Sequence, residues 1–600
     1  MTSVRIHSTR MRALIAVAIV LVLAVPALAQ VAPSKTVVSR IAAIQQVKQN
    51  LTPALKKMDS SLAFAAVGLK NPAAISSFSS ALSPLSKAPS GKVLVDVRGT
   101  VTDDLLQQIK KVGGDVIYPS ARWGTIRAAI PLQSMEAVAA HPDVNRISSR
   151  VWAHTNVGSL TSQGYVAHRA KQVVEVSGVT GAGVNVGVLS DSASAAEIAA
   201  LKASGDLPPT AHALPGQDGA PGSDEGTAMM EIVYDMAPGS TPIFATAFIS
   251  DASFADNIIA LQGAGCKVIV DDVTYFEEPV FQDGIIAQAV NQVVAAGSTY
   301  FSSAGNSGSK KDGTSGTWEG DFKDGGPVSG PIAGVGETGE FHDFGGQLYT
   351  QYISNSGFAF LQWSDPWGNA CDDYDLFVTN ATGTTVKAFS ADSQTCTGSD
   401  PVEGLQYSGA PGDRIYIVLF KGTKKALHLD TERSTTTINT TGNTFGHNAG
   451  MNTITMAATY YGSAHKGVVP FTGFANPVET FSSDGPRKIF FTPAGVEITP
   501  GNVLFSTNGG TTLQKPDLTA ADGVFTKTPG FLPFFGTSAA APHAAGIAAL
   551  VVSVRPGYTP AQVKQAMKAS ALDNEAVGWD PNGGWGVAMA NGAVNYALSH

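Results

Sequence analysis

The spacing of hydrophobic residues along the sequence differs from one segment of the chain to the next. Residues 181–308 hold uninterrupted apolar runs such as GVNVGVLSDS and CKVIVDD, which are typical of buried strands, together with helical runs such as GIIAQAVNQVVAAG. From about Gly330 to Thr444, short alternating strands such as FAFLQWS and RIYIVLFKG are separated by turns rich in Gly, Asn, Asp and Ser. Buried strands resume with NTITMAAT. The pattern predicts an inserted β-sandwich of about 110 residues, a common domain size.

A small α+β unit precedes these segments. KVLVDVRG, beginning at Lys92, predicts a strand, and TDDLLQQIKKVGG predicts a helix with Thr102 as its N-cap and Gly113 as its stop. Two strands joined by a turn, a second helix and a last strand follow before residue 150. This β-α-β-β-α-β order predicts a ferredoxin-like unit over about residues 90–150.

The first 29 residues have the three parts of a signal peptide. Arg5, Arg10 and Arg12 supply the positive start, ALIAVAIVLVLAV the apolar centre, and Ala27-Leu28-Ala29 the cleavage site. The apolar stretch is short for a retained membrane anchor, the alternative interpretation. We therefore expect a secreted protein, extracellular or periplasmic, with no membrane span after removal of the signal.

Composition and charge narrow the classes of function. The chain is 44% hydrophobic and 14% charged, with 64 Gly and 33 Pro, which suits a loop-rich globular protein and not a disordered one. The formal net charge is −9 and no basic stripe with interleaved aromatic residues is present, so nucleic acid is not an expected partner. Three cysteines are too few for a disulfide scaffold. Cys371 and Cys396 lie in one polar segment and can pair, whereas Cys266 opens an apolar strand and is expected to be a buried free thiol.

The stretch FFGTSAAAPHAAGIAALV, residues 534–551, has the features that a nucleophilic serine needs. An apolar run ends at Gly536-Thr537-Ser538, and Pro542, a residue suited to the first turn of a helix, precedes a helical run. Ser538 is therefore expected near the start of a buried helix, where free N–H groups and the helix dipole favour a developing anion. Small neighbours leave room for a substrate chain to reach the hydroxyl. A tightly packed helix start without chemistry is the alternative.

This stretch resembles the nucleophile motif of the subtilases, and the resemblance extends over most of residues 181–597. The matching motif residues are Gly536, Thr537, Ser538, Pro542, His543 and Gly546. The resemblance implies an α/β fold of the subtilisin type with a doubly wound parallel sheet, and a serine peptidase with Ser538 as nucleophile and His543 as a packing residue. The ferredoxin-like unit looks like the inhibitory propeptide that precedes many subtilase domains, so the chain's own propeptide is an expected partner. An independent small domain is the alternative.

The same resemblance assigns further roles. Subtilases carry their first catalytic residue, an Asp, at the end of a strand, and Asp191 ends GVNVGVLSD here; an Asp that caps the following helix is the alternative. Asn306, in TYFSSAGNSG, matches the amide that donates to the oxyanion, with a simple turn Asn as the alternative. Where subtilases have His-Gly-Thr at a helix start that leads to an Ala-Pro turn, this chain has Glu225 before Gly226-Thr227.

A glutamate in the histidine position resembles the base of the sedolisins, a related family with a Ser nucleophile on a subtilisin-like fold. The chain differs from them in having Met229, where they carry an Asp one turn after that Glu, and Asn306, where they use an Asp. We expect a secreted serine endopeptidase that acts on polypeptides, in which Ser538 attacks the peptide carbonyl, Glu225 takes its proton and Asp191 orients Glu225. A catalytically inactive subtilase-like binding or scaffold protein is the alternative.

The acids around position 225 leave other assignments open. Asp224 is a fallback base, and His212 lies in a polar loop without a supporting motif. An unperturbed Glu has a pKa of ~4.3 against ~6.5 for His. Two close carboxylates raise one apparent pKa, while the helix dipole lowers that of Glu225. We hypothesise that Asp191 and Glu225 share a proton and that activity is highest at acidic pH.

No organic cofactor is expected, and we expect a monomer. Asp271 and Asp272 can line a substrate site, cap a helix or bind a cation, and Asp372, Asp373 and Asp375 can hold calcium, although alternating acids on a strand are more often solvated. The predicted boundaries are 1–29 for the signal peptide, 30–158 for the propeptide, 159–330 and 445–600 for the two parts of the catalytic domain, and 331–444 for the insert. Maturation is expected to cut between residues 149 and 178.

Overall fold

The computed structural model describes residues 47–48, 50–76, 85–88, 90–149, 153–154, 162–354, 357–407, 409–462, 470–474 and 476–600. The predicted signal peptide lies outside these residues, as do residues 150–152 and 155–161 of the predicted maturation segment. Among the described residues, Cys371 and Cys396 form a disulfide, and Cys266 is a buried free thiol.

The N-terminal unit packs an antiparallel sheet against helices. Its strands are β1 (Val93–Gly99), β2 (Asp115–Ser120), β3 (Thr125–Ile130) and β4 (Val144–Ser149), in the spatial order β2-β3-β1-β4. Its helices are α1 (Ser60–Lys70), α2 (Pro72–Ile75), α3 (Asp103–Lys111) and α4 (Met135–Ala139), with 3-10 turns at Leu55–Lys57 and Leu132–Ser134. The Thr102 hydroxyl accepts the Leu105 N–H and caps α3. The elements from β1 to β4 thus alternate in the order that the sequence predicts.

The next segment alternates strands and helices. Its strands are β5 (Ala153–His154), β6 (Asn185–Ser190), β7 (His212–Ala213), β8 (Thr241–Thr246), β9 (Cys266–Asp271), β10 (Thr274–Tyr275) and β11 (Thr299–Ser303). Its helices are α5 (Gly164–Ala167), α6 (Ala195–Ser204), α7 (Glu225–Met236), α8 (Asp251–Gly263) and α9 (Ile285–Ala295), with a π-helical turn at Gln172–Val176.

Two antiparallel sheets and the short helix α10 (Gly330–Ala333) form the middle of the chain. The strands are β12 (Trp318–Asp321), β13 (Asp324–Pro327), β14 (Glu340–His342), β15 (Thr350–Gln351), β16 (Phe358–Trp363), β17 (Asp373–Thr379), β18 (Val386–Ser390), β19 (Val402–Gln406), β20 (Arg414–Lys421) and β21 (Ala426–Asp430). One sheet has the order β12-β21-β16-β19, and the other has β13-β14-β20-β17-β18 with β15 beside β20. Trp363, Tyr374 and Leu376 are among the buried residues that fill one core between the sheets. Because β12 pairs with β21, these sheets begin before residue 331.

The last segment returns to the first domain. It begins with a 3-10 turn at Gly446–Ala449 and contains β22 (Ile454–Tyr460), β23 (Arg487–Ile489), β24 (Thr511–Leu513), β25 (Leu518–Asp522), α11 (Thr537–Val554), α12 (Pro560–Ala569) and α13 (Ala590–Ser599).

A seven-stranded sheet joins the segments before and after the insert. Its order is β25-β22-β11-β9-β6-β8-β7, and every neighbouring pair is parallel. Helices α7 and α11 share the apolar core on one face, and α8 and α9 share the core on the other. A Cβ on Gly546 of α11 would lie 2.4 Å from the Cβ of Met236 in α7, so glycine permits the close packing of these two helices. The predicted α/β fold with a doubly wound parallel sheet is confirmed.

Helix α11 differs from its prediction at Pro542. The helix begins at Thr537, which places Pro542 inside the helix, so the expectation that it lies in the first turn was wrong. Proline at this position lacks the N–H that would bond to the Ser538 carbonyl one turn earlier. Helix α11 is long and apolar enough to cross a membrane, but 89% of it is buried inside the protein. Its apolar character therefore serves the core.

Candidate active site

Ser538 is the second residue of α11 and is almost fully buried, at 1% exposure. The preceding turn depends on Gly536, whose φ of +110° is rare for a residue with a side chain. Since β25 runs parallel to the rest of the sheet, the helix that follows it starts at the carboxyl edge, where open α/β sheets place their sites. The structure therefore places the Ser538 hydroxyl at the expected edge, among the first N–H groups of a buried helix.

Asn306 is held beside the same helix start. Its Oδ1 accepts the Thr537 N–H at 3.0 Å and the Thr537 hydroxyl at 2.8 Å. Because the amide oxygen has these two donors, the Nδ2 group is the end that can donate to a substrate. The structure thus brings Asn306 and Ser538 together through Thr537, a residue to which the sequence assigned no role of its own.

Asp191 and Glu225 meet at the start of α7. Asp191 follows β6, and its Oδ1 accepts the Glu225 N–H at 3.1 Å. Its carboxylate also accepts the N–H of Ser192 and both the N–H and the hydroxyl of Ser223, the last at 2.7 Å. Asp191 therefore binds the backbone at the helix start, whereas our hypothesis from the sequence placed it against the Glu225 carboxyl group.

Glu225 is the first residue of α7 and is fully buried. Its neighbour Gly226 leaves no room for a side chain, because a Cβ there would lie 2.2 Å from Phe244 and 2.6 Å from the Ser192 carbonyl oxygen. Arg433, an exposed residue near the end of the insert, lies within electrostatic reach of Glu225. The position before Gly-Thr thus holds a buried carboxyl group.

The other proton acceptors considered from the sequence are engaged elsewhere. Asp224 has a φ of +62° and binds Ser194, accepting its N–H at 2.6 Å and its hydroxyl at 2.8 Å. His212 lies on β7 at the sheet edge, and its Nδ1 is 2.9 Å from the Thr210 carbonyl oxygen. His543 is fully buried, with Nδ1 2.7 Å from the Ala539 carbonyl oxygen, and burial holds its pKa well below the usual range.

Asp271 ends β9 and Asp272 follows it directly, and the two acids face different groups. Asp271 Oδ1 accepts the Ser302 hydroxyl at 2.9 Å and lies 3.1 Å from His447 Nε2. Asp272 faces Glu225 and Ser190, and burial raises its pKa to about 7, with the Asp271 and Asp191 charges acting in the same direction. The Asp-Asp pair at a strand end was visible in the sequence, but not which acid faces Glu225.

Asp372, Asp373 and Asp375 of the insert are buried, so the expectation that these alternating acids are solvated was wrong. Asp372 Oδ2 is 3.0 Å from Lys425 Nζ, which also pairs with Asp365 at 2.7 Å. Asp373 and Asp375 are buried on β17. Among the described residues, no group of three or more His, Cys, Asp or Glu side chains is placed to hold a metal ion.

Known structures resemble the chain at low sequence identity. The Clostridium perfringens CspB protease is 12% identical with a TM-score of 0.45, over 72% of this chain and 99% of that one. The Staphylococcus aureus epidermin leader peptide processing serine protease EpiP, as its S393A mutant, is 10% identical with a TM-score of 0.44, over 84% and 99%. Fervidolysin from Fervidobacterium pennivorans, described as a keratinolytic enzyme related to subtilisin, is 13% identical with a TM-score of 0.37, over 85% and 62%.

Comparison with curated proteins finds no significant match. The subtilase family matches residues 192–586, well over half of the chain, from just after Asp191 to beyond helix α11. This span contains Glu225, Asn306 and Ser538 and includes the two antiparallel sheets of the insert. The protein is a serine-type protease and belongs to the subtilase family.

Proposed function

We propose that the protein is a secreted endopeptidase that uses Glu225 as the general base for Ser538. Removal of the Ser538 proton lets its Oγ attack the peptide carbonyl, and the proton then passes to the leaving amine. Asn306 donates its amide hydrogen to the oxyanion of the tetrahedral intermediate. Asp191 fixes the start of α7 through the Glu225 N–H. The resulting acyl-enzyme on Ser538 is hydrolysed by water activated in the same way.

One observation carries this proposal. Glu225 is fully buried at the first position of α7, the position where subtilases have histidine, and its N–H is bound to Asp191. Asp224 binds Ser194, and His543 is a packing residue with a strongly lowered pKa. Among the described residues considered as bases, Glu225 thus has the position and the chemistry to take the proton. The scaffold alternative is not favoured, because the residues assigned to the nucleophile and the oxyanion hole lie side by side.

We further propose that the N-terminal unit is an inhibitory propeptide and that the insert is an appended β-sandwich. Asp256 of α8 accepts hydrogen bonds from Tyr118 at 2.7 Å and from Ser120 and Trp123 at 3.0 Å, all three in the N-terminal unit. Beyond the unit, β5 pairs antiparallel with β10, a strand that follows β9 by three residues. A chain segment paired beside the carboxyl edge of the sheet would compete with a substrate, which supports a zymogen.

Processing of the expressed protein tests these proposals together. The wild-type protein should lose its N-terminal unit by a cut between residues 149 and 178, and the Ser538→Ala variant should keep it. Mass spectrometry of both products gives the cut site, and casein hydrolysis from acid to neutral pH gives the activity. If both proteins keep the unit and neither cuts casein, the assignment of the site is wrong.

Secretion is tested separately. The signal peptide lies outside the described residues, so the proposal rests on its three-part sequence. Export of the full-length chain with a new N-terminus after Ala29 supports it. If the protein stays in the cell with residues 1–29 still attached, secretion is contradicted, and the assignment of the site is unaffected.

A further inference from the structure

A second buried acid lies next to the proposed base. Asp272 follows β9 directly, and β9 pairs with β6 so that Asp271 is opposite Leu189. Asp272 is therefore level with Ser190 at the same edge of the sheet as Asp191. It is 3% exposed, and the groups that its carboxyl meets are the Glu225 carboxyl and the Ser190 hydroxyl. The proposed base thus has a carboxyl neighbour from a strand that the subtilase resemblance did not implicate.

Asp191 has no capacity left for the Glu225 carboxyl. Three backbone N–H groups and the Ser223 hydroxyl donate to its two oxygens. An ionised carboxylate offers about four lone-pair sites, so these donors occupy them. Asp191 is therefore committed to holding the turn before α7.

Asp272 is in the opposite situation. Both of its carboxyl oxygens are buried, and among the described residues no group forms a conventional donor–acceptor hydrogen bond with either oxygen. Two buried carboxyl groups that face each other cannot both ionise at low cost, because desolvation and like charge disfavour the dianion. A single proton held between them removes the repulsion and satisfies both groups, and the pair then titrates as a unit.

We propose that Asp272 is the positioning residue that shares one proton with Glu225, so that this pair, and not Glu225 with Asp191, receives the proton of Ser538. The inference rests on the function proposed above. The Ser538 O–H bond breaks as Oγ bonds to the peptide carbon, and the carbonyl π electrons move to the oxygen. The proton goes to the singly charged pair, which becomes neutral. When the C–N bond breaks, the pair returns one proton to the leaving amine and regains its single negative charge.

The pH dependence of kcat/KM tests the pairing. The charged groups that face the pair are Asp191 on the β6 side, Asp271 on β9 and Arg433 from the insert. The wild-type profile should be bell-shaped, since activity needs one proton on the pair, and its upper limb should lie near neutrality. Asp272→Asn keeps the shape of the side chain but removes the second carboxyl group, so the upper limb of the profile should move by about one pH unit or more.

Controls separate positioning from general damage. Glu231→Gln removes another buried acid of α7, one that binds the N–H groups of Lys527 and Thr528, and its profile should overlay that of the wild type. The Asp272→Asn variant should lose kcat by less than about 10²-fold, the lower end of what a general base contributes, with KM unchanged. An unmoved limb in Asp272→Asn, or a moved limb in Asp191→Asn alone, would overturn the proposal.

A spectroscopic titration reads the pair without catalysis. In the Ser538→Ala background, infrared difference spectra should show the C=O stretch of a protonated carboxyl that titrates near neutrality. Both Asp272→Asn and Glu225→Gln should abolish this step, whereas Glu231→Gln should remove only an independent band. If Asp272→Asn does not fold, Asp272→Ser takes its place. If the coupled band is present but the wild-type protein hydrolyses no peptide, the pair is supported and the proposed function is contradicted. If the protein is active but the band is missing, the proposed function is supported and the pair is contradicted.

Discussion

His447 Nε2 lies 3.1 Å from Asp271 Oδ1, which connects the first residues after the insert to the strand beside the active site. The other ring nitrogen, Nδ1, bonds to Glu278, which also accepts the His447 N–H at 2.8 Å. His447 and Asp271 are completely buried, and Glu278 is almost so. The imidazole is therefore a cation between two acids, and it holds the return from the insert against the carboxyl end of β9.

This relationship predicts that the protein loses stability at alkaline pH. Burial lowers the pKa of His447, but the charges of Glu278 and Asp271 together outweigh this effect and raise the pKa from 6.5 to about 10. The folded state binds this proton more tightly than the unfolded state, so the contribution is fully present below pH 6.5 and is lost as pH rises to about 10. Denaturant unfolding from pH 6 to 11 should show that fall.

His447→Gln tests the cause. The variant leaves two acids buried without their cation, and breaking such a group costs about 3–5 kcal/mol. It should be less stable than the wild type at pH 7 and should lack the alkaline step. His212→Gln, at an exposed position, is the matched control and should unfold like the wild type. An unchanged alkaline step in His447→Gln would assign it to another group.

Asn306 predicts a kinetic effect confined to the transition state. Asn306→Ala removes the amide that Thr537 orients, and loss of a comparable donor in subtilisin costs about 10²–10³ in kcat. We expect kcat to fall by that order with KM nearly unchanged, since the oxyanion exists only after attack. Thr537→Val removes one of the two bonds to Oδ1 and should have a smaller effect in the same direction. A change confined to KM would place Asn306 in ground-state binding instead.

The buried carboxyl group of Asp235 should make the folded protein more stable as the pH falls towards acidic values. Its carboxylate accepts the Ser162 N–H at 2.9 Å, and burial raises its pKa from 3.8 to about 7. The folded state then binds the proton more tightly, so stability falls as pH rises from about 4 to 7. In Asp235→Asn this part of the dependence should disappear. Melting temperatures from pH 4 to 8 measure it, and equal slopes in the two proteins would exclude Asp235 as a source.

Local patterns in the sequence were sufficient for the parallel α/β sheet and for the helix start at Ser538. The apolar runs ending at Asp191 and Asp271 are strands of the parallel sheet, and Ser538 starts a buried helix because small residues follow it. These features depend on residues within one or two turns of each other. The extent of α11 was misjudged, since a proline's preference for first turns is weaker than the packing of the whole helix.

The partners of the buried acids could not be predicted in this way. Successive residues of a strand point to opposite faces, so Asp271 and Asp272 meet different neighbours. The sequence shows the two acids together but not which face meets α7. Asp271 and His447 are 176 positions apart, with the insert between them. Such contacts depend on how segments return to the sheet, which a single sequence does not reveal.

We expect an ion pair of Arg146 to hold the N-terminal unit against the insert. It bonds to Asp392 at 2.9 Å, and both side chains are almost buried, at 11% and 10% exposure. Asp392 also accepts the Ser60 N–H at 2.7 Å, and Phe64 of α1 packs among insert residues such as Phe377. Arg146→Ala leaves a buried anion without its partner, a loss of about 3–5 kcal/mol.

Hydrogen exchange in the Ser538→Ala background measures the effect of Arg146→Ala. Amides of the N-terminal unit should exchange faster than in the parent protein, and those of the central sheet should not change. Lys92→Ala removes a surface pair with Asp115 inside the same unit and should change little, because exposed pairs contribute about 0–1 kcal/mol. Equal exchange in the two variants would mean that the ion pair does not anchor the unit.

Glu225 predicts that the working pH can be changed by one substitution. Glu225→His restores the residue that subtilases have before Gly-Thr, on the same helix start and beside the same Asp191 turn. Because an imidazole accepts a proton only above its own pKa, whereas the Glu225–Asp272 pair has to keep one proton, the pH of highest activity should rise. Glu225→Gln keeps the size of the side chain but cannot accept the proton, and should lose about 10²–10⁴ in kcat. Profiles of kcat/KM with a peptide substrate, with Ser538→Ala as the blank, measure both effects. If the His and Gln variants fold and are equally inactive, or if Glu225→Gln matches the wild type, position 225 does not carry the proton.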